Sequence, residues 1–402
     1  MSSKKVVVIG LGTMGSMSLW QLSQHADVEA IGIEQFGLVH GYGAFTGESR
    51  LFRAAYQEGT KYVPILKEAR SLWQELAAAS GRQLFLNFGV ISIGEESNAH
   101  FQMMLQSIKD WGLPHEHLSA ADLRERFPAM DFKDTEEGVV DKLGGALRPE
   151  LAVLSALEQA RANGATIYEH EEVLAFEDTG SGVTVTTSQR TINADSVIVS
   201  AGAWTELVLP QLTLLLEVRK LALTWFLPKD LQLFQPDRLP CFIWDKDDFH
   251  VFGAPCVDGY SVKISGLDLW GGPDTERVED ADLRLERDAV SAFGRQVAGL
   301  FPGVDAEPNR YSVHFDTYTA DKIPIIDRVG NVVVTAGFSG HGFKLSPAVG
   351  KLATALALGE DTALHHPDFR IEAHGPVLAA AYPPFQSIYR NGFGFGGRGS
   401  YT

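Results

Sequence analysis

The sequence predicts an α/β fold with a parallel sheet, and three observations support this prediction. A run of β-branched residues at 6–9, VVVI, has the pattern of a strand that is buried on both faces. It leads directly into the loop GLGTMG at 10–15, after which residues 16–23 have an apolar pattern typical of a helix. A second apolar run, Val28 to Ile33, ends at Glu34. Strand, glycine loop, helix, strand and acid in this order are typical of a Rossmann-like dinucleotide-binding unit.

The glycine loop has the steric features that binding of a diphosphate requires. Gly10 makes the tight turn after the strand, Gly12 lets the backbone approach a pyrophosphate, and Gly15 lets the helix pack on the strand. Thr13 and Met14 then lie at the start of the helix, where backbone N–H groups and the helix dipole favour phosphates. The alternative is a glycine-rich turn with a purely structural role.

The acid that follows the second strand narrows the choice of dinucleotide. Glu34 lies 19 residues beyond Gly15, where an acidic side chain accepts hydrogen bonds from the adenosine ribose hydroxyls. This position favours FAD or NAD over NADP. The chain after Glu34 does not continue as a simple series of βα units, and this favours FAD.

Composition excludes several classes of partner. The 402 residues allow two or three domains, and 34 Lys plus Arg against 51 Asp plus Glu give a formal charge of −17. This charge argues against nucleic acid or an anionic membrane as the main partner. No apolar stretch reaches the roughly 18 residues that a membrane span needs. Cys241 and Cys256 form no zinc-like cluster and exclude a disulfide framework, so we expect no metal site and a cytoplasmic location.

A glycine-broken stretch at 41–53, GYGAFTGESRLFR, is expected to end in the start of a helix that carries Arg50 and Arg53. Residues three apart on a helix lie on neighbouring parts of one face. The two guanidinium groups could therefore hold one anionic ligand or flank a flavin. A solvated basic helix face is the alternative.

Five separated blocks of the chain resemble one enzyme family. They are GLGTMG at 10–15, GESRLFRAAY at 47–56 with EG at 58–59 and YVP at 62–64, VIVSAGAW at 197–204, PIID at 324–327 and AGFSGHGFK at 336–344. In this order they resemble the monomeric sarcosine oxidase and N-methyltryptophan oxidase family of FAD-dependent amine oxidases. The resemblance spans most of the chain and is more specific than any single motif.

The resemblance implies a GR2/DAO-type flavoprotein in which each of two domains is assembled from separated segments. One is a Rossmann-like FAD-binding domain, and the other is an α+β substrate domain with a mainly antiparallel sheet. The expected boundaries are 1–84, 141–215 and 316–365 for the FAD-binding domain, 85–140 and 216–315 for the substrate domain, and 366–402 for a C-terminal segment.

Local patterns outside the glycine loop add to this expectation. Strand-like runs at 241–244, 249–252 and 260–264 agree with a sheet in the substrate domain. The C-terminal segment ends in a Gly/Phe-rich tail at 391–402, for which we expect disorder. Docking of the tail over the substrate entrance or on a neighbouring subunit is the alternative.

The resemblance also implies which residues contact FAD. Val173 falls at the strand where the family contacts adenine through its backbone, and Gly340 and Gly342 would let their loop pass near the isoalloxazine ring. Besides the loop at 10–15 and Glu34, the implied contacts are Ser49, Arg50, Val173, Ala201, Gly202, Trp204, Gly340, Gly342, Phe343 and Lys344.

Five cationic or titratable side chains match functional positions of the family. Arg53 and Lys344 match the two clamps on the substrate carboxylate, where charge-assisted hydrogen bonds fix the amino acid. Lys263 matches the lysine above the flavin that promotes oxygen reduction, and Arg50 matches the arginine that stabilises the reduced flavin. His341 matches a histidine in the flavin-side loop and is a catalytic candidate. The alternatives are an exposed Lys344, a Lys263 that points outward and a structural His341.

Three positions depart from the family pattern. His314 stands where the family tethers its flavin through a cysteine, so we predict non-covalent FAD, with a histidyl link through His314 as the minority alternative. Ala44-Phe45-Thr46 replaces a Ser-His-His type run, and Leu267 replaces a pocket histidine. The last two changes predict a more apolar pocket, a substrate bulkier than sarcosine and a simpler pH profile.

The sequence therefore predicts an FAD-dependent oxidase of an amino acid that bears a secondary amine, whether N-methyl, N-substituted or cyclic. The imine product would hydrolyse, and molecular oxygen would be reduced to hydrogen peroxide. The alternatives are an FAD-dependent dehydrogenase that uses another acceptor, and a flavin-binding subunit without amine oxidase activity. We expect a monomer or small homo-oligomer with no nucleic acid or membrane partner.

Overall fold

The computed structural model describes residues 3–56, 58–246, 249–269, 278 and 283–374. Its helices are α1 (Thr13–Leu22), α2 (Val63–Ser80), α3 (Ala99–Trp111), α4 (Ala120–Arg126), α5 (Pro149–Ala162), α6 (Thr205–Val208), α7 (Arg287–Leu300) and α8 (Ser346–Leu358). The strands of the first half are β1 (Lys4–Ile9), β2 (Val28–Ile33), β3 (Arg50–Phe52), β4 (Phe85–Leu86), β5 (Val90–Glu95), β6 (His115–Leu118), β7 (Glu136–Asp141), β8 (Gly145–Leu147), β9 (Thr166–Tyr168) and β10 (Val173–Asp178). Those of the second half are β11 (Val183–Thr187), β12 (Thr191–Ala194), β13 (Ser196–Val199), β14 (Glu217–Phe226), β15 (Cys241–Lys246), β16 (Phe249–Ala254), β17 (Val262–Gly266), β18 (Arg310–Tyr318), β19 (Ile325–Val329) and β20 (Val332–Ala336).

A six-stranded sheet in the order β19-β20-β13-β1-β2-β9 contains the glycine loop. β1 pairs in parallel with β2 and β13, β2 with β9, and β13 with β20, whereas β19 runs antiparallel to β20. Successive side chains of β1 point to opposite faces: Val6 and Val8 pack with α1, α5 and α8, and Val7 and Ile9 pack against the small sheet β10-β11-β12. Because both faces are covered, the strand is apolar throughout, as its sequence predicted.

The parallel strands of this sheet end at one edge, where the predicted nucleotide-binding residues lie. β1 ends before Gly10, β2 ends before Glu34, and β13 ends before the turn at 200–204. The backbone connects these ends directly, because Gly10 N–H donates to Ile33 O and Ser200 N–H donates to Ile9 O. Ligands of open α/β sheets bind at the carboxyl ends of such strands.

An eight-stranded sheet in the order β18-β14-β17-β16-β15-β5-β7-β6 forms the other large layer. Its neighbouring strands are antiparallel, apart from the parallel pair β15 and β5. The strands expected at 241–244, 249–252 and 260–264 are confirmed as β15, β16 and β17. Phe226, Phe242 and Trp244 on this sheet pack with Phe293 of α7 in a separate apolar core.

The helix expected around Arg50 and Arg53 is wrong. Residues Arg50–Phe52 form β3, which pairs antiparallel with β8, with Arg50 opposite Leu147. This partner lies almost a hundred residues away, so the local sequence could not reveal the pairing, and tertiary contacts override local helix propensity. The two arginines therefore do not share a helix face, and their approach to one site depends on the loop that follows β3.

Three further findings concern the helices, the C-terminal tail and the cysteines. In the described part of the chain, no helix combines the length and apolar character needed to cross a membrane. The Gly/Phe-rich tail at 391–402 lies outside the described residues. Cys241 and Cys256 are both buried free thiols.

Candidate active site

A cavity of about 880 Å³ is lined by residues from the carboxyl edge of the six-stranded sheet and by residues from the eight-stranded sheet. It brings together residues that are far apart in the sequence. The sequence-predicted site residues that line it are Gly10, Gly12, Thr13, Met14, Glu34, Ser49, Arg50, Arg53, Val173, Ala201, Gly202, Trp204, Lys263, Gly340, His341, Gly342, Phe343 and Lys344. Gly15 and His314 lie outside this lining.

At two positions of the glycine loop, a side chain larger than glycine would clash with the backbone. Gly10 has φ +81°, and a Cβ there would lie 2.7 Å from Ser200 O. A Cβ on Gly15 would lie 1.8 Å from Gly10 O, so this glycine lets α1 pack against the loop. Among the residues that the structure describes, no side chain caps the N-terminus of α1 at Gly12, which leaves N–H groups of the first turn available to a phosphate at the cavity wall.

Two further features fit a bound dinucleotide. Glu34 is only 4% exposed, and its carboxylate accepts hydrogen bonds from Leu11 N–H at 2.8 Å and Phe36 N–H at 3.0 Å. These bonds fix the carboxylate at the end of β2, where a ribose would lie. Ser49 is 1% exposed, and its hydroxyl has no hydrogen-bond partner among the described residues. A buried orphan hydroxyl in the cavity wall fits a polar ligand group.

Arg50 is held rigidly by backbone carbonyls. Its guanidinium donates to Ser49 O at 2.8 Å, Ala44 O at 2.8 Å and Thr46 O at 2.6 Å. Burial lowers its pKa to about 10, which leaves it charged at neutral pH. Arg50, the first residue of β3, thus places a fixed positive charge in the cavity wall, held by carbonyls of the preceding loop.

Arg53 and Glu58 form an ion pair at one end of the cavity. Nη2 of Arg53 lies 2.6 Å from Oε1 of Glu58, and the Arg53 side chain is 6% exposed. Nη1 of Arg53 and Oε2 of Glu58 are buried without hydrogen-bond partners among the described residues. An orphaned guanidinium nitrogen beside a cavity is suited to a carboxylate ligand.

Lys344 belongs to the same cluster through Tyr56 and His341. Its Nζ donates to His341 O at 2.8 Å and to the Tyr56 hydroxyl at 3.3 Å. The Tyr56 hydroxyl lies 2.9 Å from His341 Nδ1, and His341 Nε2 lies 2.9 Å from Lys322 O. Because a carbonyl can only accept, His341 carries its proton on Nε2 and accepts from Tyr56 at Nδ1. The side chain of His341 thus holds Tyr56, which in turn positions Lys344.

The electrostatics of this cluster follow from burial. Burial lowers the pKa of Lys344 to about 7, with Glu58 opposing and Arg53 adding to this shift. Burial would raise the pKa of Glu58, but Arg53, Lys344 and His341 together hold it below its ordinary value. Burial also lowers the pKa of His341 to about 4, so the imidazole is neutral at pH 7.

Lys263 is buried on β17, in the middle of the eight-stranded sheet. It is 1% exposed, and its Nζ donates to Ser49 O at 2.7 Å and Gly47 O at 3.1 Å. Burial and then Arg50 lower its pKa well below the ordinary value, whereas Glu48 and Glu150 act to raise it. The side chain points inward, toward the loop at 47–49 that precedes β3.

The expected apolar character of the pocket is only partly observed. Phe45 and Leu267 line the cavity, as their sequence positions implied. However, Asp316, Asp245 and His250 also line it, so the lining retains titratable groups. The simpler pH profile expected from the loss of histidines stays a prediction, and these remaining titratable groups also have to be considered in it.

Sequence reasoning missed three residues of the site. Glu58 and Tyr56 belong to one of the sequence blocks that carry the family resemblance. Their spacing in the sequence does not indicate that they contact Arg53 and Lys344. Asp316 lies on β18, and its side chain accepts a hydrogen bond from Gly340 N–H. The signal that could have found it is its place two residues after His314, a position already matched to the flavin-tethering cysteine of the family.

The fold and this site define a class of protein. The family model described as FAD dependent oxidoreductase (DAO) matches residues 5–356, and the chain belongs to that family. It is thus an FAD-dependent oxidoreductase, and the residues around the glycine loop fit the cofactor.

Individual relatives make the similarity more specific. The chain is 32% identical to the monomeric sarcosine oxidase of Streptomyces avermitilis, over 94% of this chain and 98% of that one. It is 31% identical to the N-methyl-L-tryptophan oxidase of Yersinia pestis, over 88% of this chain and 94% of that one. Among solved structures it is similar in fold to NikD, described as an unusual amino acid oxidase, with TM-score 0.80 and 20% identity over 92% of this chain and 98% of that one.

Replacing Gly15 with alanine is expected to abolish FAD binding, because the new Cβ would lie 1.8 Å from Gly10 O. To relieve that clash, α1 has to move away from the loop. The N–H groups of its first turn then move away from the diphosphate. The measurement is the ratio of flavin to protein absorbance after purification with added FAD. Gly299→Ala is the matched control, because a Cβ at that helical position meets no atom within 4 Å. Full occupancy of Gly15→Ala with FAD would contradict this steric account.

Carboxylate affinity is expected to fall as pH rises from 6 to 9. Lys344 is protonated below its pKa of about 7 and loses its charge above it, so an anion loses one of its two cationic partners. The affinity should fall by about tenfold for each pH unit in the steepest part of the curve. The measurement is titration of the holoenzyme with methoxyacetate, followed by the flavin absorption spectrum. Lys344→Met should bind more weakly and lack the fall in affinity near pH 7, and an unchanged profile in that variant would assign the titration to another group.

Proposed function

We propose that this protein is an FAD-dependent oxidase of amino acids that carry a secondary amine. The observation that supports this most is the pair of buried cations Arg53 and Lys344, which both line the cavity and both lie over the Tyr56 ring, with Arg53 Nη1 unpartnered among the described residues. Such a pair suits a carboxylate. The sarcosine and N-methyl-L-tryptophan oxidases that are similar to this chain act on carboxylate-bearing amines, as their names state.

In this proposal the chain binds and orients the substrate. Arg53 Nη1 and Lys344 Nζ donate hydrogen bonds to the carboxylate, and the amino acid excludes water from the buried end of the cavity. Bound FAD supplies a two-electron acceptor. With the carboxylate fixed, the α C–H bond can be held toward the cofactor, and such positioning supplies much of the reduction in barrier.

The remaining cations serve the redox steps. Arg50, held by three carbonyls, places a fixed positive charge where the cofactor gains negative charge on reduction. Lys263 supplies a positive charge to oxygen as it is reduced. The overall reaction takes the amine and oxygen to an imine and hydrogen peroxide, with two electrons and two protons transferred, and water then hydrolyses the imine.

The test of this function is oxygen uptake with a panel of amines: sarcosine, N-methyl-leucine, N-methyl-tryptophan and pipecolate. Uptake with at least one of them, and formation of an equal amount of hydrogen peroxide, is the expected result. Anaerobic bleaching of the flavin by a substrate without rapid recolouring in air would instead establish a dehydrogenase. Absence of bleaching by every amine of the panel would contradict the oxidase proposal and support a flavin-binding subunit.

We propose that FAD is bound without a covalent link. His314 does not line the cavity, and its ring nitrogens lie 2.7 Å from the Thr46 hydroxyl and 2.8 Å from the Ser312 hydroxyl. Both nitrogens are thus engaged, which argues against a histidyl link. Denaturation in guanidinium followed by gel filtration should leave all yellow colour in the small-molecule fraction. Colour that stays with the polypeptide would contradict this expectation.

We also propose a cytoplasmic monomer or small homo-oligomer. The support for the compartment is that both cysteines are free, as is common where thiols are kept reduced. Light scattering of the purified holoenzyme gives the oligomeric state directly.

A further inference from the structure

Asp316 is an acidic group in the cavity wall that the proposed chemistry has not used. It lies on β18, the edge strand of the eight-stranded sheet, and lines the cofactor cavity. Its Oδ2 accepts from Gly340 N–H at 2.7 Å, and its Oδ1 accepts from Thr317 N–H at 2.8 Å. Within the described residues, it forms no ion pair. A carboxylate held only by backbone donors next to a ligand cavity retains lone pairs for a ligand.

The loop that contains Gly340 and His341 links Asp316 to Lys344, one of the two cations proposed to bind the substrate carboxylate. Gly340, which holds Asp316, immediately precedes His341, whose carbonyl accepts a hydrogen bond from Lys344 Nζ at 2.8 Å. The carboxylate clamp and Asp316 are thus fixed to adjacent residues of one loop. In an α-amino acid the amine nitrogen is two bonds from the carboxylate carbon. Lys344 and Asp316 thus line the same cavity and are linked through the neighbouring residues His341 and Gly340, so an amino acid held at Lys344 by its carboxylate can extend its amine toward Asp316.

We propose that Asp316 binds the ammonium group of the incoming substrate and accepts its proton. This inference rests on the proposed function. The N–H bond of the ammonium breaks, the proton moves to the Asp316 carboxylate, and the electron pair remains on nitrogen. Only the neutral amine can then lose its α hydrogen with two electrons, because the lone pair forms the C=N bond of the imine. Asp316 is thereby a catalytic residue that touches the substrate.

The electrostatic surroundings of Asp316 agree with this role. Burial raises its pKa to about 6, whereas the hydrogen bonds from Gly340 and Thr317 and the charge of Arg50 lower it. It is thus ionised at neutral pH and more basic than an exposed aspartate. Arg219, opposite Asp316 on β14, is engaged by Glu217 through two hydrogen bonds of 2.8 Å. The titratable and charged groups on the elements around Asp316 include Arg50 on β3, Glu217, Arg219 and Lys220 on β14, Arg310, His314 and Tyr318 on β18, and His341 and Lys344 after Gly340.

The first test is an equilibrium measurement with two probes of the same shape. The probe α-(methylamino)isobutyrate is a cation at its nitrogen and has no α C–H to lose, and α-methoxyisobutyrate has a neutral oxygen at that position. Binding to the holoenzyme is read from the flavin spectrum at pH 8 without oxygen. Asp316→Asn should weaken binding of the ammonium probe by about 10- to 100-fold and change binding of the methoxy probe by less than about twofold. Equal effects on both probes, or an effect on neither, would overturn the inference.

The second test separates proton acceptance from binding. The rate of anaerobic flavin reduction by a substrate of the panel is measured from pH 6 to 10. In the unchanged protein the rate of flavin reduction should become constant at pH values above the pKa of Asp316. In Asp316→Asn the rate should keep rising with pH until the pH reaches the pKa of the free amine. At pH 7 the variant should be slower by about 10²- to 10⁴-fold. Asp316→Glu should recover part of that loss, and a pH profile of Asp316→Asn that matches the unchanged protein would overturn the proton transfer.

The two tests distinguish failure of this inference from failure of the proposed function. If no amine of the panel bleaches the flavin, the oxidase proposal fails, and the equilibrium test still shows whether Asp316 recognises an ammonium group. If bleaching occurs but Asp316→Asn changes neither probe binding nor the pH profile, the oxidase proposal stands and the role of Asp316 is overturned.

Discussion

Replacement of Lys263 with methionine is expected to slow the reaction of the reduced enzyme with oxygen by about 10²- to 10³-fold, whereas reduction of the flavin by substrate changes little. A preorganised positive charge in a water-excluded site stabilises developing negative charge strongly. Lys263 is 1% exposed and held by Ser49 O and Gly47 O, so its ammonium needs no rearrangement during the reaction. The measurement is stopped-flow mixing of substrate-reduced enzyme with oxygenated buffer.

The same stopped-flow experiment is repeated over a range of pH and with a matched control variant. Burial lowers the pKa of Lys263, and only the protonated form supplies a charge. The oxygen reaction should therefore slow as pH rises and the ammonium loses its proton, and Lys263→Met should lack this dependence. Lys229→Met is the control, since that amine donates to Pro302 O on the surface. Rapid recolouring of Lys263→Met in air would remove the lysine from the oxygen step.

Arg53→Met is expected to lower kcat/KM for the amino acid substrate by about 10²-fold or more. The variant loses a charge-assisted hydrogen bond to the carboxylate and leaves Glu58 without its partner at 2.6 Å. The second effect lowers stability as well, so thermal unfolding has to be measured beside activity. Arg53→Met combined with Glu58→Gln should recover the thermal stability but not the activity.

A surface arginine provides the control for this variant. Arg124 forms an ion pair with Asp134 at 2.6 Å, with side chains 43% and 93% exposed. Exposed pairs contribute little, so Arg124→Met should change neither kcat/KM nor the melting temperature appreciably. Recovery of full activity in the Arg53 and Glu58 double variant would show that Arg53 acts only on stability and does not touch substrate.

The sequence predicted best those parts of the fold in which the local pattern of apolar residues matches their burial in the folded chain. The run at 6–9 is apolar on both faces because helices cover one face of β1 and a small sheet covers the other, so the pattern was unambiguous. The order of strand, glycine loop and helix likewise predicted where the edge with Glu34 would lie. Each glycine there has a steric reason that is legible in the sequence.

The errors arose where long-range contacts decide the structure. Arg50 lies on β3 because β8 pairs with it, and no local signal for that pairing exists in the segment. The ion pair of Arg53 with Glu58 and the contact of Lys344 with Tyr56 depend on the path of a loop rather than on a periodic pattern. Asp316 was not predicted because its place in the cavity depends on the pairing of β18 with β14 and on its hydrogen bond from Gly340 N–H, neither of which has a local signal in the sequence.

The central claim is that Arg53 and Lys344 hold a carboxylate so that the adjacent amine is oxidised. Its most direct test compares a substrate amino acid of the panel with its carboxamide, which has the same amine and the same side chain but no negative charge. Anaerobic bleaching of the flavin is measured for both by stopped flow at matched concentrations of the neutral amine. The account expects the acid to react at least 10²-fold faster, since the amide loses both charge-assisted contacts and the orientation they provide. Bleaching of the flavin at comparable rates by the acid and the amide would contradict it.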